Sequence, residues 1–417
     1  MRFLVSALGS AGDVHPFVAV AQALRARGHG VRMIASPHFE ERIRRGGIDF
    51  VALGTAADYE RLLRLPELWD PRRGARLVLD ELLRHLREAL DVTAAASTPD
   101  TVLVGSSLSW ALRIQQERSG QPAATVHLSP ALLLSATQPS VMPGVGDVSW
   151  MPTWAVRILH RAADRLLLDR WIAPRLDRLR ADLDLPPVRR IWSRWMHSPD
   201  LVIGAWPAWF APPQPDWPPR TMATGFPVFD EGGLDLDAAL VAFIASGTAP
   251  IGFTPGSAMA HGERFFARAL EAAATLGRRA LLITPFRDQL PARLPEWAHH
   301  VAYAPFSALL PRLSLLVHHG GIGTSAQALA AGIPQLVVPF AHDQFDNAAR
   351  LRRLGVSRTV GVTSSFDEWV TALHDLCESP AVAAATRRGA DRMASDAPGA
   401  VRIARALEAL GATRGFR

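Results

Sequence analysis

The sequence has one cysteine, Cys377, and no lysine among its 417 residues. A single thiol excludes an internal disulfide and a multi-cysteine metal site. Without lysine, all 45 basic residues are arginine, and the formal net charge is +6. The arginines are interleaved with Asp and Glu along most helical stretches and form no dense tract, so no nucleic-acid partner is expected. No apolar run reaches the ~18 residues that a membrane helix needs. The first eight residues, with one Arg, pass for the start of a signal peptide, but Gly9-Ser10-Ala11-Gly12 cuts the run short. A buried first strand and a cytoplasmic location are therefore expected. What remains is ordinary for a globular chain: 48% apolar and 20% charged residues. The length corresponds to two or three domains at ~150 residues each.

Short apolar runs alternate with amphipathic ones. Residues 3–8 read as a strand and 16–27 as a helix, with Phe17, Val20, Ala21 and Leu24 on one face and Gly28 at its end. With a strand at 31–35 this is a βαβ start, hence a parallel sheet with right-handed crossovers. Residues 101–105 and 123–128 read as further buried strands. The stretch 141–219 holds eight of the twelve Trp residues together with many Pro and Arg, and its Pro-rich part at 207–215 cannot be a regular helix or central strand. Alternation resumes with strands at 250–254, 280–284, 313–318 and 335–338 and helices at 262–276 and 324–331. The expected fold is α/β, with two doubly wound Rossmann-like domains facing across a cleft and joined near 225–233. Chemistry is expected on loops at the carboxyl ends of the strands.

The strongest motif is Val317-His318-His319-Gly320-Gly321-Ile322-Gly323-Thr324, directly after a strand and opening a helix. Glycines let backbone approach a ligand closely, and the helix start attracts an anion, with His319 and Thr324 as side-chain donors. Adjacent strand residues face opposite ways, so the two His do not suit one metal ion, and no metal is expected. Further on, His342-Asp343-Gln344 follows another strand. Its carboxylate and amide suit sugar hydroxyls, or Asp343 is a helix cap. Gly256 and Ser257 follow a third strand, where Ser257 either donates to a phosphate or caps the next helix. Tyr303-Ala304-Pro305-Phe306 places an aromatic ring where a base could stack, or Tyr303 is a packing residue of its loop. At the amino end, Gly9-Ser10-Ala11-Gly12-Asp13-Val14-His15-Pro16 is not a dinucleotide fingerprint, because the glycine spacing and the acidic residue after the second strand are both lacking. Asp13 and His15 are each a candidate general base, or a cap for the helix expected from Pro16. Asp182-Leu183-Asp184 and Asp235-Leu236-Asp237 lie away from strand ends and carry no metal assignment; Cys377 reads as packing.

In order along the chain, the amino-terminal run Gly9 to His29, Tyr303-Ala304-Pro305, the His319-Gly320-Gly321-Ile322-Gly323-Thr324 turn and Pro339 to Ala348 resemble signatures of the GT-B glycosyltransferases of family 1. Further runs resemble the branch that makes rhamnolipids: Leu68-Trp69-Asp70-Pro71, Trp195-Met196-His197-Ser198-Pro199, Pro207 to Gln214 and Thr224-Gly225-Phe226-Pro227. The resemblance implies an acceptor-binding domain over 1–228, a nucleotide-sugar domain over 229–395, and a last helix in 396–417 packed on the first domain. It implies an inverting, metal-independent transfer of L-rhamnose from dTDP-L-rhamnose, a substrate and not a cofactor, to a 3-(3-hydroxyalkanoyloxy)alkanoate. The alternative implied is UDP-glucose or another donor with a macrolide, sterol or flavonoid acceptor. Asp13 then falls at the base position, with His15 an additional candidate. Gly256, Ser257, His319, Gly320, Gly321, Gly323 and Thr324 would hold the diphosphate. Tyr303 and Ala304 would flank the base, and Asp343 and Gln344 would hold the sugar. The Arg residues at 157–194 read as a solvated helix face, with peripheral contact to a membrane as the other reading.

Overall fold

The structure is a computed structural model that describes residues 1–229, 235–413 and 415. Residues 230–233 of the expected junction at 225–233 therefore lie outside the described residues. The chain forms two compact units, and neither is contiguous: the first is Met1–Leu62, Arg72–Pro227 and Ala397–Arg417, the second Leu63–Pro71 and Val228–Asp396.

The first unit is built on seven parallel strands, β1 (Arg2–Ser6), β2 (Gly30–Ala35), β3 (Asp49–Ala52), β4 (Thr101–Ser106), β5 (Ala123–His127), β6 (Leu201–Gly204) and β7 (Thr221–Ala223). Their order is β3-β2-β1-β4-β5-β6-β7, with Ser6 paired to Ile34 on one side and to Gly105 on the other. Helices cover both faces, so the central strands are apolar throughout; Leu4, Val5, Leu103 and Val104 are all fully buried. The order reverses at β1/β4, so the loops after these two strands flank the switch point where doubly wound sheets bind ligands.

The first helix spans Ala11–Ala26, five residues earlier than the expected start, and Pro16 lies inside it. The local reason is a reciprocal cap. The backbone N–H of Ser10 donates to the Asp13 carboxylate at 2.8 Å, a capping contact that sets the helix start ahead of Pro16. The helix Gly399–Ala412 returns to this unit. Its Glu408 accepts from Arg27 Nε at 2.7 Å and lies 2.6 Å from His29 Nε2, while Ile403, Ala404 and Leu407 are fully buried. The chain passes itself at Gly225 and Gly399, where a Cβ on Gly399 would sit 2.4 Å from the Gly225 carbonyl oxygen. Only glycine permits that approach.

The second unit has six parallel strands, β8 (Ile251–Thr254), β9 (Ala280–Ile283), β10 (Ala298–Val301), β11 (Leu315–His318), β12 (Gln335–Val337) and β13 (Ser357–Thr359). They run in the order β10-β9-β8-β11-β12-β13. One face packs on Phe265, Phe266, Trp369 and Leu373, the other on Leu240, Leu309, Leu310 and Leu313. The segment Leu63–Pro71, read from sequence as part of the first domain, packs here instead. Among the described residues, no helix is long and apolar enough to cross a membrane.

Candidate functional site

In the second unit the His-Gly-Gly turn joins β11 to the helix Ile322–Ala331, with Gly321 at the N-cap and no side chain capping it. The first-turn N–H groups thus point outward without intrahelical acceptors. The two histidines do different work. His318 is fully buried: its Nδ1 accepts from the Gly320 N–H at 3.1 Å, and its Nε2 lies 2.9 Å from Gln335 Oε1. Burial, with His319 next to it, pushes its pKa down to about 3, so it is a neutral strut with both nitrogens used. His319 turns the other way, its ring plane at 88° to that of His318. Its pKa falls to about 4 through burial, and its Nδ1 is buried with no hydrogen-bond partner.

The neighbouring glycines make room for that ring. A Cβ on Gly321 would lie 2.4 Å from His319 Nε2, and one on Gly256 would lie 2.8 Å from Cε1. Gly256 also has φ +100, a backbone region that side chains rarely adopt. Gly320 (φ +90) is fixed by a different constraint: a Cβ there would strike Val337 Cγ1 at 2.8 Å. A Cβ on Gly323 would meet no protein atom within 4 Å, so no contact within the protein demands glycine at that helix start. Thr324 is half-buried beside it. Ser257 is exposed in the loop after β8. It does not cap the next helix, which begins at Glu263 behind Gly262.

The Asp-Gln motif is brought against this turn. Asp343 is the N-cap residue of the helix Gln344–Arg353 without bonding its own helix N–H groups; instead its Oδ2 accepts from Asn347 Nδ2 at 2.9 Å. The same Asn347 amide donates to the Gly320 carbonyl at 3.0 Å, locking the two loops together. Gln344 is used differently from the expectation. Its Oε1 accepts from the backbone N–H groups of Phe340 (2.7 Å) and Ala341 (3.0 Å), which leaves only its amide nitrogen for a ligand. Tyr303 is 53% exposed, whereas Ala304 is buried in the core beneath.

Sequence reasoning named Asn347 and Trp69 only within family-like runs and gave neither a role. The i, i+4 spacing of Asp343 and Asn347 is a signal for the first. The run Leu68-Trp69-Asp70-Pro71 marks the second without giving its partner: Trp69 arrives from the Leu63–Pro71 segment and packs edge-on against His342, with centroids 6.2 Å apart. His342 takes φ +57, a left-handed conformation, and hydrogen-bonds the Leu68 backbone. The indole N–H of Trp69 is buried without a partner.

In the first unit Asp13 lies in the first turn of its helix, after the loop that follows β1. Its Oδ2 accepts from both the N–H and the hydroxyl of Ser10, at 2.8 and 2.9 Å. Gly9 (φ +125) leaves the space, since a Cβ there would sit 2.4 Å from that same oxygen. Tyr59 was also missed. Burial and the Asp13 charge beside it push its phenol pKa up, so it keeps its proton. His15 does not fit a base: its Nε2 faces the Arg42 guanidinium at 2.6 Å. Burial and that cation push its pKa down to about 3. No group of three or more metal-ligating side chains occurs among the described residues.

Comparison with known proteins agrees with this arrangement. Residues 3–137 match the glycosyltransferase family 28 N-terminal domain, and 270–410 match the C-terminal domain of erythromycin biosynthesis protein CIII-like proteins. The O-mycaminosyltylonolide 6-deoxyallosyltransferase of Streptomyces fradiae is 30% identical over 431 residues, covering 95% of this chain and 94% of the relative. The fold is similar to that of the glycosyltransferase of kitacinnamycin (TM-score 0.75, 20% identity, 98% of each chain). It is also similar to the spinosyn rhamnosyltransferase SpnG complexed with thymidine diphosphate (TM-score 0.68, 20% identity, 98% of this chain and 100% of that one). Kinship over almost the whole length, on two parallel-sheet α/β units, makes this chain a member of the GT-B sugar-nucleotide glycosyltransferases.

Proposed function

We propose that the protein transfers a 6-deoxyhexose, L-rhamnose, from its thymidine diphosphate ester to a hydroxyl of an apolar acceptor, with inversion and without a metal. The observation that carries this reading is the unpartnered Nδ1 of His319, buried beside the uncapped start of the helix Ile322–Ala331. A neutral imidazole and free N–H groups converge where a diphosphate can accept hydrogen bonds. Gly256, Ser257, Gly320, Gly321, Gly323 and Thr324 complete that cradle. Tyr303 and Ala304 flank the base, and Asp343, with the amide nitrogen of Gln344, meets the sugar hydroxyls.

In the reaction the acceptor oxygen attacks the anomeric carbon as the bond from that carbon to the diphosphate oxygen breaks. The acceptor's proton passes to Asp13, and the electron pair of the broken bond leaves with the nucleoside diphosphate. Ser10 holds the carboxylate in place, and the phosphate-facing N–H groups stabilise the charge that gathers on the leaving group. His15 plays no part as a base.

The acceptor has two readings. The motif likeness supports a 3-(3-hydroxyalkanoyloxy)alkanoate, and exposed Trp150, Trp154, Ile158, Leu166 and Leu167 in the first unit offer apolar surface for acyl chains. The deoxyallosyltransferase relative supports a macrolide-type acceptor. Purified protein incubated with dTDP-L-rhamnose or UDP-glucose and either acceptor, followed by mass spectrometry, tests both. Rhamnosylated product is expected; product from UDP-glucose alone would overturn the donor assignment.

A further inference from the structure

In the first unit, residues 149–170 present an apolar face that carries charge of one sign. The helix Thr153–Ala162 runs through a π turn, Ala163–Leu168, into the helix Asp169–Ala181. Trp154, Ile158, Leu159, Leu166 and Leu167 are exposed along it, and Trp150, just ahead of it, is 80% exposed. Trp154 and Ile158 follow each other at four-residue spacing. Arg157, Arg161 and Arg165 form a second row at the same spacing beside them. These three arginines and Arg170 are all exposed.

The carboxylates of this stretch are turned inward. Asp164 and Asp169, its only acids, are both buried. They stand five residues apart, and a π turn, which closes residue i onto i+5, brings such a pair to one side. Asp164 accepts from the backbone N–H groups of Trp192 (3.3 Å) and Ser193 (3.2 Å). Asp169 accepts from those of Arg190 (2.7 Å) and Ile191 (3.0 Å). The outer face therefore holds four guanidinium groups and no carboxylate, and among the described residues these four arginines make no ion pair. Further along, Arg175, Arg180 and Arg189 are paired with Asp80, Glu117 and Asp177. The arginines read from sequence as one solvated face are thus two sets, and the unpaired set stands among exposed Trp and Leu.

We propose that this face docks on an anionic lipid surface. Trp150, Trp154 and the leucines enter the boundary of the acyl chains, and the arginines meet the lipid phosphates. Amphipathic helices bind membranes in this way, apolar area and cationic charge acting together. Trp favours the interface, and Arg reaches a phosphate while its stem lies along apolar surface. Charge decides against a second copy of the chain. A two-fold contact sets the same patch against itself, which would place arginine against arginine with no carboxylate between. The surface offered to the tails of a lipid-like acceptor and the surface that meets the membrane are then one. Docking goes beyond the transfer reading and depends on neither the donor nor the acceptor assigned there.

The test is co-sedimentation of the full chain with vesicles of phosphatidylcholine, alone or with about 30% phosphatidylglycerol. The anionic vesicles should bind it at least about tenfold more tightly. An arginine near such a surface contributes about fivefold, so Arg157→Gln/Arg161→Gln should weaken that binding about 30-fold. Arg387→Gln/Arg388→Gln, at exposed arginines of the second unit, should leave it within about twofold. Leu166→Ser/Leu167→Ser should weaken it at least about tenfold. All these side chains are exposed, and far-UV circular dichroism verifies that the variants fold. Absence of binding, equal binding to both vesicle types, or equal losses in the two arginine pairs would overturn the proposal. A second readout uses the native protein. Lipids brominated in their acyl chains should quench its Trp emission, and should quench it less in Trp150→Phe/Trp154→Phe; no quenching of the native protein refutes insertion of this face. A lipid-free dimer in sedimentation velocity that Leu166→Ser/Leu167→Ser dissociates would give the face to a second copy and likewise refute docking on lipid.

Discussion

Replacing Gly321 by Ala isolates the role assigned to His319. The backbone there is φ −60, ψ 137, which alanine adopts without strain, and loss of glycine at an uncapped N-cap position costs less than about 1 kcal/mol. The new methyl, however, would lie 2.4 Å from His319 Nε2, roughly 1 Å inside the ~3.5 Å contact distance. The ring must move by about that amount, and a hydrogen bond of 2.7–3.2 Å does not survive it. One hydrogen bond to a charged group contributes about 1.5–3 kcal/mol, so dTDP should bind roughly 10- to 150-fold more weakly. Titration calorimetry with dTDP on Gly321→Ala, His319→Ala and the double variant reads this directly. Both single variants should weaken binding comparably, and the double variant should be no weaker than His319→Ala, because the methyl acts only through the ring. Native-like affinity in Gly321→Ala, or losses that add in the double variant, would refute the argument.

Asp13→Asn keeps an oxygen to accept from Ser10 but cannot take a proton. Acceptor-dependent turnover should fall about 10²- to 10⁴-fold, while calorimetric dTDP affinity stays within a few-fold; substantial residual turnover would remove Asp13 from the role. Chelators should leave native turnover unchanged. Glu408 makes a pH-dependent contribution to stability. The Arg27 hydrogen bond holds its carboxyl below the ordinary 4.5, so the contribution is fully present above pH 4.5 and is lost as pH falls through the lowered value. Urea unfolding should show Glu408→Gln less stable than native by about 0.5–1 kcal/mol at pH 7, with the gap closing at pH 3; an equal gap at both values would count against the pairing.

The sequence revealed those parts of the fold whose signal is local. β1, β4, β8 and β11 are largely apolar runs, and each was placed to within about two residues. The strands not recognised are short or polar: β10 is Ala-His-His-Val and β13 is Ser-Arg-Thr, edge sequences whose pairing is set by their neighbours. The helix start at Ala11 was misplaced because Pro16 is a stronger sequence cue than a Ser10–Asp13 cap that only geometry reveals. His15 and Gln344 have side chains of the right chemistry whose acceptor atoms are committed to Arg42 and to backbone amides. Tyr59 and Trp69 depend on contacts distant in sequence: Trp69 lies in the recognised run Leu68-Trp69-Asp70-Pro71, but the run does not encode that its ring meets His342.

The interleaved connectivity bears on engineering. Cutting the chain once after Pro227 and attaching the second half of a relative would replace the closing helix Gly399–Ala412, although Arg27 and His29 of the retained half are built to meet its Glu408. It would also strand residues 63–71, whose Trp69 belongs against His342. A chimera that respects this architecture is spliced at Pro227 and again at Ala397, and carries the second unit's own version of the 63–71 strap with it.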